Sequence, residues 1–151
     1  GALYACAMQL GALAASAGEE TVEAMATSGR ALGLALQIHR DVMELWGVEG
    51  AATPVGAEVL NKKKLFPVVY SLSKASLSEK RRLGDIYFKR VLDTEDVVKV
   101  RDILEELGAK ERAEELIAQY RAETLDALEI PGVNAAGRSA MGDLVGYLLG
   151  Q

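Results

Sequence analysis

Residues 37–44 read QIHRDVME and place charged and polar side chains at helical spacing. Gln37 and Asp41 stand four residues apart, and Asp41 and Glu44 stand three apart, so each pair shares one face if the segment is helical. Two carboxylates on one helix face can coordinate Mg²⁺ through oxygen, together with substrate phosphates and water. By spacing alone, an ordinary charged face with an Arg40–Glu44 ion pair is the favoured interpretation.

Residues 53–67, TPVGAEVLNKKKLFP, combine a glycine-containing stretch with three adjacent lysines. Lysine binds phosphate as a point charge, so a loop of this kind after a carboxylate-bearing helix is able to hold a diphosphate. A solvated basic loop explains residues 62–64 as well, and it is the favoured interpretation when these lysines are considered alone.

The composition around these two segments predicts an all-α fold. Half of the 151 residues are hydrophobic and only 5% are aromatic. The apolar residues are mostly Ala, Leu and Val, and Ala and Leu are the strongest helix formers. A chain of this length has room for one domain with one modest core. We therefore expect residues 1–151 to form a single helical domain, and no segment predicts a strand convincingly.

The first predicted helix, residues 2–17, is apolar or small on every face. A helix of that kind is buried on all sides, and a chain of this size would struggle to surround it. We therefore expect a partner chain or an N-terminal part to cover it, and we expect Cys6 to be a small buried hydrophobe. The segment has no basic residues before it and polar interruptions within it, so it predicts neither a leader nor a membrane span.

Local signals predict six further helices. Gly29 and Gly33 lie inside the second helix and indicate close packing against another helix. Ser76 followed by Glu79 fits a capping box, Thr94 is a candidate N-cap, and Gly108 fits a C′ position. We expect a loop over 47–54, an irregular basic stretch over 56–64, and helices over residues 20–46, from 66 to about 72 with Pro67 in the first turn, 78–89, 95–107, 111–129 and 135–149.

Charge and cysteine content restrict the classes of function and of site. The formal net charge of −5 argues against a nucleic-acid partner, and the single cysteine excludes an internal disulfide and a multi-cysteine metal site. These features favour a reducing, cytoplasmic location.

Together, residues 37–44 and 53–67 resemble the second aspartate-rich region of the trans-isoprenyl diphosphate synthases. That family reads Gln-Ile-x-Asp-Asp-x-x-Asp near the end of a long helix, then Gly-Lys-Pro-x-Gly-x-Asp, then Gly-Lys-x-Thr-x-Pro. Glu44 and Glu58 stand where the family has aspartates. The residues that match in register are Gln37, Ile38, Asp41, Pro54, Gly56, Lys63 and Pro67. The order and length of the later helices are similar too, so the resemblance is to the C-terminal half of the isoprenoid synthase fold.

The resemblance implies an activity and a set of roles. Members of the family condense isopentenyl diphosphate with an allylic diphosphate, and Mg²⁺ between two aspartate-rich motifs helps the diphosphate to leave. It implies that Gln37, Asp41 and Lys63 are catalytic and that Asp41 and Glu44 bind metal. It also implies that Lys63 contacts the substrate diphosphate, and we expect the adjacent Lys62 to take part; a diphosphate contact by Arg40 is one of the two interpretations given below.

Three positions depart from the family pattern. Arg40 replaces the first aspartate, and a guanidinium cannot bind Mg²⁺; Thr53 replaces a lysine, and Leu65 replaces a threonine. Arg40 either contacts diphosphate directly as a bidentate donor, or it marks a site with lost or reduced metal binding, which we favour slightly. His39 is expected to be satisfied locally, and Trp46 and Tyr70 to pack in the core.

The expected function is that of a subunit of a heteromeric prenyl diphosphate synthase, whose partner supplies the first aspartate-rich motif. The alternatives are a non-catalytic regulatory subunit of a full-length synthase, a terpene-cyclase-like fragment, a fragment of a longer synthase, and an unrelated helical interaction module.

Overall fold

The computed structural model describes residues 1–47 and 55–150, and this part of the chain is helical and contains no strand, which confirms the predicted all-α class. The described helices are α1 (Ala2–Ala14), α2 (Glu19–Trp46), α3 (Ala57–Leu60), α4 (Phe66–Lys74), α5 (Leu77–Tyr87), α6 (Thr94–Glu106), α7 (Ala109–Asp126) and α8 (Ala135–Leu149). None of these helices is long and apolar enough to cross a bilayer.

The chain divides into two compact units. The first holds residues 1–37 and the chain from residue 115 onward, and the second holds residues 38–114. Helices α2 and α7 each contribute residues to both units. The single domain expected over residues 1–151 stays a prediction.

Two of the predicted helix ends are confirmed by their cap geometry. The Ser76 hydroxyl accepts a hydrogen bond from the Glu79 N–H, and Glu79 Oε2 accepts one from the Ser76 N–H at 2.6 Å, which is the reciprocal capping box at the start of α5. Gly108 follows α6 with φ +67°, a left-handed conformation that suits glycine at C′.

The predicted cap of α6 was wrong by one residue. Asp93 is the N-cap, because its Oδ1 accepts from the Asp96 N–H at 2.9 Å while Asp96 Oδ2 accepts from the Asp93 N–H at 3.3 Å. Thr94 therefore lies inside the helix. A reciprocal pair of hydrogen bonds satisfies two orphan donors, and Thr94 has no acidic or amide side chain at the matching position.

The structure also corrects two expectations on either side of α2. Helix α1 ends at Ala14 and not near residue 17, because Ser16 has φ +55° and breaks the helical conformation. The stretch over 56–64, which was expected to be irregular, contains the one-turn helix α3. The predicted loop over 47–54 lies almost wholly outside the described residues.

In the first unit, α1 packs closely against α2 through glycine, as Gly29 and Gly33 predicted. A Cβ at Gly29 would lie 2.6 Å from the Tyr4 carbonyl oxygen, and one at Gly33 would lie 2.8 Å from the Gly1 Cα. Only glycine allows the backbones to approach this far. Within the same unit, the Ser28 hydroxyl donates to the Thr124 carbonyl oxygen at 2.7 Å and joins α2 to α7.

Within this chain α1 is not buried on all sides, in agreement with the expectation that a chain of this size could not surround it; its coverage by a partner or an N-terminal part stays a prediction. Only Ala5 and Ala12 are buried, whereas Leu3 is 79% exposed, Leu10 59% and Leu13 57%. Cys6 is exposed too, which corrects its predicted burial. Gly29 and Gly33 of α2 contact α1 along one stripe of small residues, and the leucines on its other faces stay exposed.

The second unit has a continuous apolar core that fixes the end of α2 and the starts of α3 and α4. Leu45 of α2, Val59 of α3 and Leu104 of α6 are fully buried in it. The buried members are Leu45, Val59, Leu65, Val68, Leu83, Ile86, Leu92, Val97, Val100, Ile103, Leu104 and Ala109. Trp46 and Tyr70 pack against this cluster, in agreement with the core role that we expected for them.

Candidate functional site

Asp41 lies at the junction between α2 and α4. Its side chain is buried, and Oδ2 accepts a hydrogen bond from the Phe66 N–H at 2.7 Å. Phe66 is the first residue of α4, whose N-cap Leu65 provides no side-chain acceptor. Because the first N–H groups of a helix have no partner within the helix, Asp41 caps α4 from a distance of 25 residues along the chain.

Glu44, one turn further along α2, does the same for α3. Its Oε1 accepts from the Glu58 N–H at 2.6 Å, and its carbonyl oxygen accepts from the Gly56 N–H at 2.8 Å. A carboxylate at a helix N-terminus is favourable because of the positive end of the helix dipole. Both predicted metal ligands therefore accept backbone hydrogen bonds from the following helices.

Gly56, which matches the family pattern, is fixed by sterics. It is the N-cap of α3 with φ +86°, and a Cβ there would lie 2.4 Å from Val97 Cγ1. A side chain at this position would combine backbone strain with an overlap in the core. The fold therefore requires glycine at position 56, whether or not this residue takes part in binding.

The remaining α2 candidates are exposed or half-buried. Arg40 is exposed, as is Gln37, which lies one turn before Asp41 on the same helix. His39 is half-buried. Arg40 therefore presents its guanidinium on the surface of the helix end that carries Asp41.

The lysines 62–64 are exposed, and the structure gives two of them partners within the second unit. Lys63 forms an ion pair with Glu58, and the Lys62 ammonium donates to the Lys89 carbonyl oxygen. Leu65, which replaces the threonine of the family pattern, is buried in the core. Thr53 and Pro54 lie outside the described residues.

The described residues do not fit a resident Mg²⁺ site on their own. Residues 1–47 and 55–150 contain no group of three or more His, Cys, Asp or Glu side chains that could hold a metal ion. Asp41 and Glu44 each accept a hydrogen bond from a backbone N–H group through one carboxylate oxygen, and Arg40, the residue before Asp41, adds an exposed positive charge. Divalent cations prefer several oxygen ligands, so Mg²⁺ at Asp41 and Glu44 would need phosphate and water oxygens in addition to these carboxylates.

The sequence reasoning missed one buried ion pair. The Asp96 carboxylate is buried, and its Oδ1 accepts from the Lys89 ammonium at 2.6 Å. The hydrogen bond from Lys89 lowers the pKa of Asp96, and the same bond raises the pKa of Lys89. The sequence analysis placed the cap of this helix at Thr94, and nothing in the sequence indicated that Lys89 would approach Asp96.

Comparison with known proteins identifies the group to which this fold and these motifs belong. The family model described as polyprenyl synthetase matches residues 1–107. The chain is 30% identical over 154 residues to geranylfarnesyl diphosphate synthase of Aeropyrum pernix, covering 99% of this chain and 46% of that protein. It is 29% identical over 147 residues to heptaprenyl diphosphate synthase component 2 of Geobacillus stearothermophilus, covering 97% of this chain and 44% of that protein.

A solved structure agrees with these relatives. Geranylgeranyl pyrophosphate synthase from Corynebacterium glutamicum, complexed with calcium and isoprenyl diphosphate, superposes with a TM-score of 0.80 at 26% identity, over 99% of this chain and 46% of that one. The chain thus spans less than half of the length of the relatives described here. Because the family model covers more than two thirds of the chain, the chain belongs to the polyprenyl synthetase family.

Proposed function

We propose that this chain is a subunit of a heteromeric trans-prenyl diphosphate synthase. In this proposal it condenses isopentenyl diphosphate with an allylic diphosphate together with a second polypeptide that supplies the first aspartate-rich motif. The observation that carries the proposal is the apolar surface of α1, where Leu3, Leu10 and Leu13 are more than half exposed. The name of one relative, heptaprenyl diphosphate synthase component 2, also supports a synthase built from more than one component.

The apolar surface of α1 suits a protein partner. Full burial of a leucine side chain contributes roughly 1.5–3 kcal/mol, so three exposed leucines on one helix offer a substantial association energy. Obligate subunit interfaces are more apolar than ordinary protein surfaces. A second chain with an apolar helix face would therefore complete the packing of α1.

Under this proposal, the chain's own residues bind and orient the diphosphate. The exposed Arg40 guanidinium presents planar, paired N–H donors that match diphosphate oxygens, and Lys62 and Lys63 add positive charge. In this arrangement Arg40 binds the diphosphate, while Asp41 and Glu44 hold the starts of α4 and α3 in place. Mg²⁺, where it takes part, would be held chiefly by the partner's carboxylates and would stabilise charge on the leaving diphosphate.

A specific observation favours a second candidate, a non-catalytic subunit that regulates a full-length synthase. Asp41 and Glu44 already serve as acceptors for backbone N–H groups. Arg40 stands where the family pattern has the first aspartate of the motif. A helix end built this way is complete as a scaffold without a metal. In that case the α1 surface would bind the full-length enzyme.

The two candidates are separated by isolating the native complex. The chain is captured from its source, the co-purifying protein is identified by mass, and the eluate is assayed for Mg²⁺-dependent incorporation of labelled isopentenyl diphosphate. A partner that bears an intact aspartate-rich motif, with activity in the eluate, supports the heteromeric synthase. A full-length synthase whose activity persists without this chain supports regulation and contradicts the first proposal.

The reconstituted complex then tests the role of Arg40. We expect Arg40→Ala to lower elongation by about tenfold or more, because a hydrogen bond to a charged group contributes roughly 1.5–3 kcal/mol. Arg40→Lys should retain part of the activity, and Arg90→Ala, another exposed arginine, should have no effect. Equal activities of the Arg40→Ala and wild-type complexes would remove Arg40 from diphosphate binding.

A further inference from the structure

The outer face of α5 carries large apolar side chains together with a positive charge. Leu77, Arg81, Gly84 and Phe88 follow one another at spacings of four, three and four residues, so they lie in one row along the helix. Phe88, the C-cap, keeps a right-handed helical conformation and extends this row, which we call the α5 row. Leu77 is 67% exposed, and Phe88 is 91% exposed, the highest value among the large hydrophobic side chains of the described residues.

A cavity of about 250 Å³ lies beside the α5 row, between α4 and α5. Gly84 and Phe88 line it from α5, and Val68 and Leu72 line it from α4. Leu72 is 42% exposed, so the apolar surface continues from α5 onto α4. A pocket beside exposed apolar residues is suited to receive an anchoring side chain of a protein partner.

Positive charge borders the α5 row and the cavity. Residues 74–90, which include α5, contain six of the 17 basic residues and two of the 22 acidic ones, so this segment has a formal charge of +4 and the rest of the chain −9. Arg81 and Lys80 are exposed, and neither side chain has a hydrogen-bond or ion-pair partner among residues 1–47 and 55–150. The next residue, Arg82, is paired with Glu106 at 2.7 Å. Arg81 and Lys80 are therefore the cations of α5 that a negatively charged partner can reach.

The acidic residues around the α5 row favour a narrow partner over a broad anionic surface. Asp85 is exposed one turn after Arg81 on the same helix. Glu106 of α6 is held against α5 by its ion pair with Arg82. A bilayer or a nucleic-acid backbone that spanned this face would meet these carboxylates as well. A helix is only about 10–12 Å wide, so it can follow the row and avoid them.

We propose that the α5 row and the adjoining cavity bind an amphipathic helix of another protein, with leucine or aromatic residues on one stripe and glutamate or aspartate beside it. One large apolar side chain of that helix fills the cavity, and its stripe covers Leu77 and Phe88. Its carboxylates pair with Arg81 and Lys80. Helix α1 carries no charged residue, so its surface recognises a different chemistry, and this proposal does not rest on the proposed synthase activity.

The test uses the full chain and a synthetic amphipathic helix as the probe. The probe is a fluorescent peptide of about five helical turns, roughly 18 residues, with leucine on one stripe and glutamate elsewhere, and fluorescence anisotropy measures its binding. We expect it to bind at least about tenfold tighter than the same peptide with lysine in place of glutamate or with alanine in place of leucine, because each of these lacks one of the two recognised features. Equal binding of the three peptides, or no binding of the leucine–glutamate peptide, would overturn the proposal.

Two variants and two matched controls locate the binding. Phe88→Ser removes an apolar contact and Arg81→Glu reverses a charge, so each should weaken binding of the leucine–glutamate peptide by about tenfold or more. Tyr147→Ser, at another exposed aromatic residue, and Lys99→Glu, a charge reversal at an exposed residue of α6, should have little effect. Thermal unfolding of each variant shows that the fold is intact. Control effects as large as those of Phe88→Ser and Arg81→Glu would contradict a defined site at the α5 row.

Two further measurements examine other occupants of the same surface. Binding to phosphatidylcholine vesicles that contain phosphatidylglycerol, lost in Phe88→Ser, would assign the α5 row to a membrane and overturn the proposed protein partner. Sedimentation velocity that shows self-association of the chain, also lost in Phe88→Ser, would assign the row to a second copy of the chain and overturn a separate partner. The expected result is that neither of these depends on Phe88, whereas binding of the leucine–glutamate peptide does.

Discussion

At the scale of single residues, the buried carboxylate of Asp96 organises the turn before α6. It accepts hydrogen bonds from the Lys89 ammonium and from the Asp93 N–H. A buried carboxylate left without such partners would be costly, so Lys89 and Asp96 depend on each other. The backbone carbonyl oxygen of Lys89 also accepts a hydrogen bond, from the Lys62 ammonium.

This pair predicts a pH dependence of stability. Because the pKa of Asp96 is lowered in the folded state, its contribution is fully present above the unfolded-state pKa of about 3.9 and is lost as the pH falls through the lower folded-state pKa. We therefore expect the difference in melting temperature between wild type and Asp96→Asn to be constant from neutral pH down to about pH 4 and to shrink below it.

Thermal unfolding monitored by circular dichroism at a series of pH values measures this difference. Asp102→Asn, a change at an exposed aspartate of the same helix, serves as the control and should leave the melting temperature nearly unchanged. A difference between wild type and Asp96→Asn that grows as the pH falls would contradict the assigned direction of the pKa shift.

The residues of the candidate site show where sequence reasoning stops. The spacing of Gln37, Asp41 and Glu44 on one helix was predictable from periodicity, and the helix exists. The partners of the two carboxylates were not, because Phe66 and Glu58 lie 25 and 14 residues further along the chain. Contacts at that separation are set by the packing of α3 and α4 on the core, for which periodicity carries no signal.

At the scale of the elements, α3 begins after Gly56, where the positive φ and the contact with Val97 leave no room for a side chain. Gly56→Ala should lower the free energy of unfolding by about 2–5 kcal/mol, since a left-handed residue with a Cβ costs about 1–2 kcal/mol and overpacking against Val97 costs about 1–3 kcal/mol more. Urea unfolding measures the change. The loss should be much smaller in the Val97→Ala background, where two methyl groups no longer oppose the added Cβ.

Gly108→Ala is the matched control for this prediction. Gly108 also has a positive φ, of +67°, but an added Cβ there would meet nothing within 4 Å. It should therefore cost only the backbone strain, about 1–2 kcal/mol. Equal losses for Gly56→Ala and Gly108→Ala would show that the contact with Val97 has no energetic weight.

The helices themselves were largely predictable, and their failures have local causes. The capping box of α5 depends on two residues three apart, Ser76 and Glu79, so the sequence contains the whole interaction. Thr94 was the predicted cap of α6, but the residue before it, Asp93, is the N-cap because it exchanges hydrogen bonds with Asp96. Helix α3 was missed because one turn capped by Gly56 and by the remote Glu44 leaves no periodic pattern.

At the scale of the whole molecule, the apolar surface of α1 is only partly covered by the described part of the chain. Its apolar pattern predicted a helix that this chain is too small to surround, and the structure leaves Leu3, Leu10 and Leu13 exposed. Periodicity reports that a face is suited to burial, but it does not report which chain covers that face.

The same surface predicts the behaviour of variants in assembly. Replacing Leu10 and Leu13 together by Asp should weaken association with the partner by about 3 kcal/mol or more, roughly a hundredfold or more in Kd. Sedimentation velocity of the chain with and without the partner measures this. Leu77→Asp, at a 67% exposed leucine of the second unit, is the control and should leave association unchanged.

A result in which the double variant binds the partner as tightly as wild type would contradict the assignment of α1 as the interface. A double variant that also melts at a lower temperature when alone would instead show that these leucines stabilise the first unit. The two readouts together separate an interface role from a folding role.

The use of Asp41 and Glu44 as remote helix caps has a consequence for evolution. A carboxylate that accepts a backbone N–H is retained by selection for folding, whether or not a cation is ever bound beside it. A lineage can therefore lose the reaction and keep most of the signature by which the reaction is recognised. In such a lineage the position of Arg40 would change first, because Asp41 and Glu44 also cap helices and an exposed residue at position 40 does not.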